Sequence, residues 1–362
     1  MKTEKEGIPQ SDPLVHGTGG NPESAIGQTS RHFTRRDFFL TGGQLAAGAA
    51  AGTYLGSSIP LSAAPAQAGA ATSAPGAEMP CGTIGKVKIS RVLLGGNLIG
   101  GWMHSRDLAY VGSLFRAYVT EEKILQTFAL AEQCGVNTVF ETGGDYIKKY
   151  NDQNHRNLQF IPHIQVDVGQ SEAALKDHIK AQVDTGAVAL YVWGVSSDAL
   201  VEEGKADLLL RAVELAKATG LPIGVGSHSL QVPMVCEKLK VPCDFYVKTL
   251  HTDNYPSATP KERRVDFMWR HNDRSVFWDN MWCLSADDVI AFFKTVTKPW
   301  IAFKVLAAGA IHPREAFPFA FKNGADFIAV GMFDFQLKEN CELAPKVIRR
   351  TQQRERPWIN GF

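Results

Sequence analysis

The chain carries no surplus of charge of either sign: 38 lysines and arginines stand against 37 aspartates and glutamates, a formal net charge of +1. Such a balance builds no field to gather phosphate backbones or anionic lipid, so nucleic acid is not an expected partner. Cysteine is scarce, with six in 362 residues, and none stand at Cys-x-x-Cys spacing. That removes the commonest zinc and redox motifs and leaves buried thiols as the ordinary reading, with a Cys236–Cys243 bridge open after export. No Gly-x-Gly-x-x-Gly opens a helix after the first apolar run. The Gly-rich Gly95-Gly96-Asn97-Leu98-Ile99-Gly100-Gly101 does not lead directly into one, which argues against an open dinucleotide-binding sheet. The ten histidines include no His-x-His or His-x-x-x-His pair. What is present is an ordinary globular composition, 44% hydrophobic and 21% charged, able to bury a sizeable core.

The first eighty residues are different, dominated by Gly, Ser, Ala and Pro. Within them Thr34-Arg35-Arg36-Asp37-Phe38-Phe39-Leu40 precedes a weakly apolar run and then Ala66-Gln67-Ala68, a small-residue cleavage pattern. This resembles a twin-arginine signal. The resemblance implies a signal region over 1–68, a disordered linker over 69–85, and export of the folded chain to the periplasm, with the twin-arginine translocase as partner during export. The run 38–59 is too rich in Gly and Ala to make a good spanning helix, so no stable membrane insertion is expected after processing.

From residue 86 to 362 one unit recurs: an amphipathic helix, a glycine at its end, a short apolar strand. Thr120 can cap a helix whose Ile124, Phe128 and Ala131 share a face and which ends at Gly135, before the strand 136–141. Leu175, Ile179 and Val183 precede Gly186; Leu209, Val213 and Ala216 precede Gly220. Phe317 and Phe321 follow Pro313 and precede Gly324. With the runs 92–94, 160–166, 244–250 and 300–305 the strands number eight, which predicts a single closed (β/α)8 TIM barrel, with an open doubly wound sheet as runner-up.

In such a barrel the C-terminal strand ends build the site. The polar residues predicted there are Glu141 and Tyr146, His163 and Gln165, Ser227 and His228, Lys248, His251 and Asp253, Lys304, and Asp334. A long connection, 251–284, adds Tyr255, Phe267, Trp269, Phe277, Trp278 and Trp282 among arginines and aspartates, a mixture that grips a sugar ring or closes a lid. Lys248, Asp253, Trp269, Trp278 and Trp282 are the substrate-binding candidates. A loop that packs on the barrel top without touching a ligand stands as the bland alternative.

Four passages then carry a family likeness: Ile89-Ser90-Arg91-Val92-Leu93-Leu94-Gly95, Gly135-Val136-Asn137-Thr138-Val139-Phe140-Glu141-Thr142 with Tyr146, Ile223-Gly224-Val225-Gly226-Ser227, and 327–340. In order and spacing the chain from about 86 to 340 resembles a divergent aldo-keto reductase, of the NADP-dependent oxidoreductases. The resemblance implies that Glu141 stands for the family's strand-end acid and Tyr146 for the proton donor to the carbonyl. The family's lysine and histidine from the next two strands are absent, and Lys304 or His163 would replace them. Phe303 falls where the family stacks an aromatic on nicotinamide, Ser227 where it holds the carboxamide, and Glu339 with Asn340 where it touches adenine, with Gln336 in place of the usual arginine. An exported oxidoreductase acting on a sugar or keto-sugar carbonyl, with tightly held NADP or NAD, is the function so implied.

A second chemistry reads the same rim as a metal site. Glu141, His163, His228 and His251 are a carboxylate and three imidazoles suited to zinc, manganese or iron, and would serve a metal-dependent sugar isomerase, epimerase or lyase. A non-catalytic carbohydrate-binding barrel, relying on the loop aromatics alone, is the third reading.

Overall fold

The computed structural model describes residues 78–104, 108–264 and 281–361. The signal expected at 1–68 lies outside the described residues, as do Phe267, Trp269, Phe277 and Trp278 of the long connection. The chain enters through an antiparallel hairpin, β1 (Cys81–Ile84) and β2 (Val87–Ser90). β1 falls within the stretch read from sequence as linker. It is ordered because Ile84 and Ile89, both fully buried, insert among the inward side chains at the barrel floor.

Eight parallel strands follow: β3 (Val92–Gly95), β4 (Thr138–Glu141), β5 (Gln159–Ile164), β6 (Leu190–Val192), β7 (Ile223–Ser227), β8 (Phe245–Thr249), β9 (Trp300–Phe303) and β10 (Phe327–Val330). Each pairs with its sequence neighbours, and β10 closes on β3 through Val330 opposite Leu94, so the sheet is a closed barrel. The strands overlap the eight apolar runs expected from the sequence.

Strand residues alternate between two cores. Leu93, Phe140, Tyr191, Phe245, Val247 and Ile301 fill the barrel, whereas Val139, Tyr246 and Trp300 pack outward against the helices. Those helices are α1 (Ala109–Tyr118), α2 (Glu121–Gln133), α3 (Gly144–Asn154), α4 (Glu172–Asp184), α5 (Gly194–Glu202), α6 (Ala206–Lys217), α7 (Gln231–Leu239), α8 (Ala286–Phe293), α9 (Pro313–Lys322) and α10 (Asp334–Arg350). Thr120 caps α2 by accepting the Lys123 N–H, and Ser285 caps α8 by accepting that of Asp288. Gly135 ends the α2 turn at φ +81°, a conformation that favours glycine. Among the described residues no helix is long and apolar enough to cross a membrane.

The floor end is fastened by charge. Asp326, fully buried, accepts from Arg354 at 2.9 Å and Arg356 at 2.7 Å, tying the C-terminal segment beneath the barrel. The mouth at the opposite end carries the cavity.

Candidate active site

A cavity of about 200 Å³ opens at the C-terminal ends of β3, β4, β9 and β10. Trp102, His104, Glu141, Trp282, Phe303 and Lys304 supply its walls and its charge. Two of these residues reach it by breaking strand alternation. Phe140 faces inward, so the next residue, Glu141, should face the outer layer; its φ of +84° turns it back so that both line the cavity. Phe303 and Lys304 repeat the device, with Lys304 at φ +55°. A left-handed L-residue costs on the order of 1–2 kcal/mol and persists only where its surroundings hold it.

The surroundings of Glu141 are explicit. Trp193 Nε1 donates to its Oε1 at 3.1 Å, and the buried Tyr191 phenol also hydrogen-bonds to the carboxylate. Burial raises the Glu141 pKa, against the opposing pull of Lys304, the Trp193 bond, His104 and the Tyr191 bond. Burial likewise drives the Tyr191 phenol well above its usual range, with the Glu141 charge adding to the rise. Tyr191 is therefore a standing donor to Glu141 rather than an acid that gives up its proton. Lys304 Nζ sits 2.7 Å from His104 Nε2 and 4.0 Å from the Trp282 ring centroid. An ammonium only donates, so His104 Nε2 is the acceptor and the ring proton belongs on Nδ1.

The remaining sequence candidates divide. His163 stacks on Trp193 with ring centroids 5.0 Å apart, just behind the Glu141 wall, and hydrogen-bonds to the Glu141 backbone. Its Nδ1 is buried without a hydrogen-bond partner, and burial takes its pKa down to about 4. His228 places Nδ1 2.7 Å from the Asp198 carboxylate, which also accepts the His228 and Ser229 backbone N–H groups. Its ring lies against Trp282 and Phe303, behind the cavity wall. Burial, and then the charges of Lys304, Lys248 and His104, hold that imidazole well below its usual pKa.

Several expectations are corrected. Tyr146, expected as the proton donor, is half-buried on α3 and packs in the outer layer rather than lining the cavity. His251, expected as a metal ligand, has both ring nitrogens engaged with backbone. Nδ1 donates to the Thr252 carbonyl at 2.9 Å, and Nε2 accepts from Trp282 and Cys283 N–H at 3.0 and 2.9 Å. Glu141, His163, His228 and His251 thus do not form the expected metal set, and among the described residues no three His, Cys, Asp or Glu side chains converge where an ion could sit.

Lys248 donates to the Thr249 carbonyl and hydroxyl on the outward side of β8, Asp253 pairs with Arg264 at 2.9 Å, and Asp334 pairs with Lys123 at 2.8 Å. Ser227 is buried at the end of β7, Glu339 is on the surface with Arg314, and Asn340 is buried along α10; none of the three lines the cavity. Gln336, one turn into α10, lines it instead. Sequence reasoning missed His104 and Asp198, which stand in no motif. Tyr191 and Trp193 lie on and just after β6, the strand from which the resemblance would have drawn a histidine.

No family model matches the chain, and no curated protein matches it. Two solved structures from Pseudomonas aeruginosa, named among the aldo-keto reductases, are each 15% identical over 74% of this chain, with TM-scores of 0.51 and 0.49 and 94% and 95% of their own lengths covered. A protein crystallised with NADPH is 11% identical over 73% of this chain and 90% of its own, at a TM-score of 0.46. At such identities the likeness establishes the eight-stranded barrel and nothing finer.

Proposed function

We propose that the chain is an aldo-keto-reductase-like oxidoreductase whose proton chemistry is carried by Lys304, His104 and Glu141 in place of Tyr146. The observation that carries this reading is the 2.7 Å contact of Lys304 with His104 in a cavity where Glu141 supplies the counter-charge. A substrate carbonyl oxygen set at Lys304 Nζ accepts its hydrogen bond. As that oxygen gains negative charge, the ammonium stabilises it and delivers a proton, while the charge of Glu141 acts on the cation through space. An ammonium already positioned by His104 serves this purpose with little reorganisation.

NADP or NAD, when bound, would supply the hydride. Phe303 presents a ring in the cavity wall where a nicotinamide can stack, and Gln336, Gly309 and Gly331 continue that wall. Ser227, Glu339 and Asn340 are not carried forward as cofactor contacts. Trp102 offers an aromatic face to the C–H side of a sugar, and the size of the cavity suits a substrate no larger than one or two rings, so a sugar or keto-sugar carbonyl is the substrate class proposed. Export to the periplasm through the twin-arginine translocase belongs to the same proposal and rests on the sequence 34–68 alone.

One observation favours a second reading, redox-free acid–base isomerisation or epimerisation: the three residues expected on the cofactor lie away from the cavity. One experiment separates the two. The purified chain is incubated with a panel of aldoses and keto-sugars in D2O, with and without NADPH. Reductase activity consumes the reduced cofactor, with Lys304→Met inactive. Deuterium entering the sugar without cofactor supports the second reading, and neither signal across the panel rejects both. For export, cell fractionation of Arg35→Lys with Arg36→Lys should find the chain retained in the cytoplasm.

A further inference from the structure

We propose that Lys304 is also a nucleophile, whose amine condenses with the carbonyl of a small aldose or ketose to form a Schiff base in the cavity. This goes beyond the reductase reading, since it draws on the same cavity but needs no dinucleotide. A lysine becomes nucleophilic when it sheds its proton, and apolar surroundings or a neighbouring cation favour that form. The φ of +55° at Lys304 breaks strand alternation and brings the residue to the cavity wall. Around it Trp282, Phe303, Val305 and Leu306 make that wall apolar, with the Trp282 ring centroid 4.0 Å from Nζ. The lysines that fasten the outer helices meet carboxylates, Lys123 with Asp334 at 2.8 Å and Lys217 with Asp244 at 2.7 Å, partners that hold an ammonium as it is. Lys304 instead meets an imidazole nitrogen, His104 Nε2, at 2.7 Å, and an imidazole both takes up a proton and gives it back.

The Lys304 ammonium first passes a proton to His104 Nε2, leaving an amine beside an imidazolium. The nitrogen lone pair attacks the carbonyl carbon, a C–N bond forms, and the C=O electron pair moves to oxygen. That oxygen takes a proton from the nitrogen, giving a carbinolamine. The imidazolium then protonates the hydroxyl, which leaves as water while the nitrogen lone pair closes the iminium. In sum an ammonium and a carbonyl give an iminium and water, with His104 unchanged. Glu141, which lines the same cavity, takes a proton from the carbon next to the iminium and leaves an enamine. Burial, which raises the Glu141 pKa, lets it hold that proton between the two steps. Reprotonation of the carbon and hydrolysis return the lysine and the carbonyl compound, with hydrogen exchanged and no net redox change.

The test incubates the purified full chain with dihydroxyacetone or glyceraldehyde, without NADPH. Sodium borohydride then adds hydride to the iminium carbon, fixing it as a secondary amine, and mass spectrometry maps the adduct after digestion. The Lys304 peptide should gain the mass of one substrate less one oxygen atom, and only when carbonyl compound and borohydride are both supplied. Labelling at Lys304 should run at least ~10-fold faster than at the exposed Lys148, fall at least ~10-fold in His104→Ala, and vanish in Lys304→Arg. Labelling of Lys304 no faster than of Lys148, which is what indiscriminate glycation gives, overturns the proposal, as does the lack of an adduct with either compound. Should the variants fail to fold, the wild-type ratio of Lys304 to Lys148 labelling decides alone. An absent adduct rejects the covalent role and leaves the reductase reading standing, whereas an adduct in a chain that consumes no NADPH does the reverse.

Discussion

Acid should loosen the cavity wall through His251. Its Nε2 accepts the backbone N–H groups of both Trp282 and Cys283, so the unprotonated ring pins the wall tryptophan in place. Burial, opposed by the hydrogen bond to Thr252, takes its pKa down to about 4 from 6.5. Between those values the unfolded chain binds a proton that the folded chain refuses, so acidification favours unfolding. The stabilisation is fully present above pH 6.5 and lost as the pH falls toward 4. A difference of this size corresponds to about 3 kcal/mol by pH 4, of which about 2 kcal/mol is gone by pH 5.

Urea unfolding followed by far-UV ellipticity at a series of pH values would measure the slope. His251→Gln removes the titrating group and should flatten the stability–pH curve by about that amount. At neutral pH the variant should also be less stable by about 1–3 kcal/mol, because two backbone N–H groups lose their acceptor. His163, also held at about 4, leaves a residual slope of similar size in the variant. Identical slopes for wild type and His251→Gln would refute the reasoning, since the buried ring could not then be the group refusing the proton.

Lys304→Met, which keeps most of the apolar stem but removes the ammonium, should lower turnover at least ~100-fold with the melting temperature little changed, measured by steady-state kinetics and thermal scans. Tyr146→Phe should leave turnover within about threefold of wild type, because its ring is not in the cavity; a loss like that of Lys304→Met would return the proton-donor role to the tyrosine. Gly96→Ala should destabilise by about 1–3 kcal/mol in urea melts. A Cβ there would lie 2.5 Å from the Thr142 backbone nitrogen and 2.6 Å from the Phe140 carbonyl, atoms that cannot yield without moving β4.

The barrel was legible because its causes are periodic. Eight apolar runs too short for helices, separated by helical stripes and glycines, favour a closed ring over an open sheet, and the cap at Thr120 is local chemistry that any context would keep. The hairpin at the floor was not legible, since Ile84 is buried in a cluster that draws together side chains more than a hundred residues away, such as Phe245 and Ile301. The site was legible only in part, for a related reason. Lys248, like Glu141 and Lys304, stands at a strand end, yet it follows the alternation and spends its ammonium on Thr249. His251 carries the expected imidazole but is consumed by backbone. Position along a strand predicts the rim; the backbone angle of the last residue decides which polar groups face inward, and the sequence does not display that angle.

The two residues that defy alternation share more than strain. Continued strand geometry would send the Glu141 carboxylate and the Lys304 ammonium into the apolar layer beneath the helices, where neither would meet the other and each would lose its hydration. Turned inward, both line the cavity where each charge acts on the other, and Trp193, Tyr191 and His104 take up part of their hydrogen-bonding capacity. A structural ion pair needs no such placement, because Asp326 with Arg354 and Arg356 shows how this same chain fastens buried charge, at the floor and without a cavity. At the mouth the strain is spent on presenting a carboxylate and an ammonium to an aromatic-walled space. Local rules broken at two strand ends for one shared cavity are what function, rather than folding, accounts for.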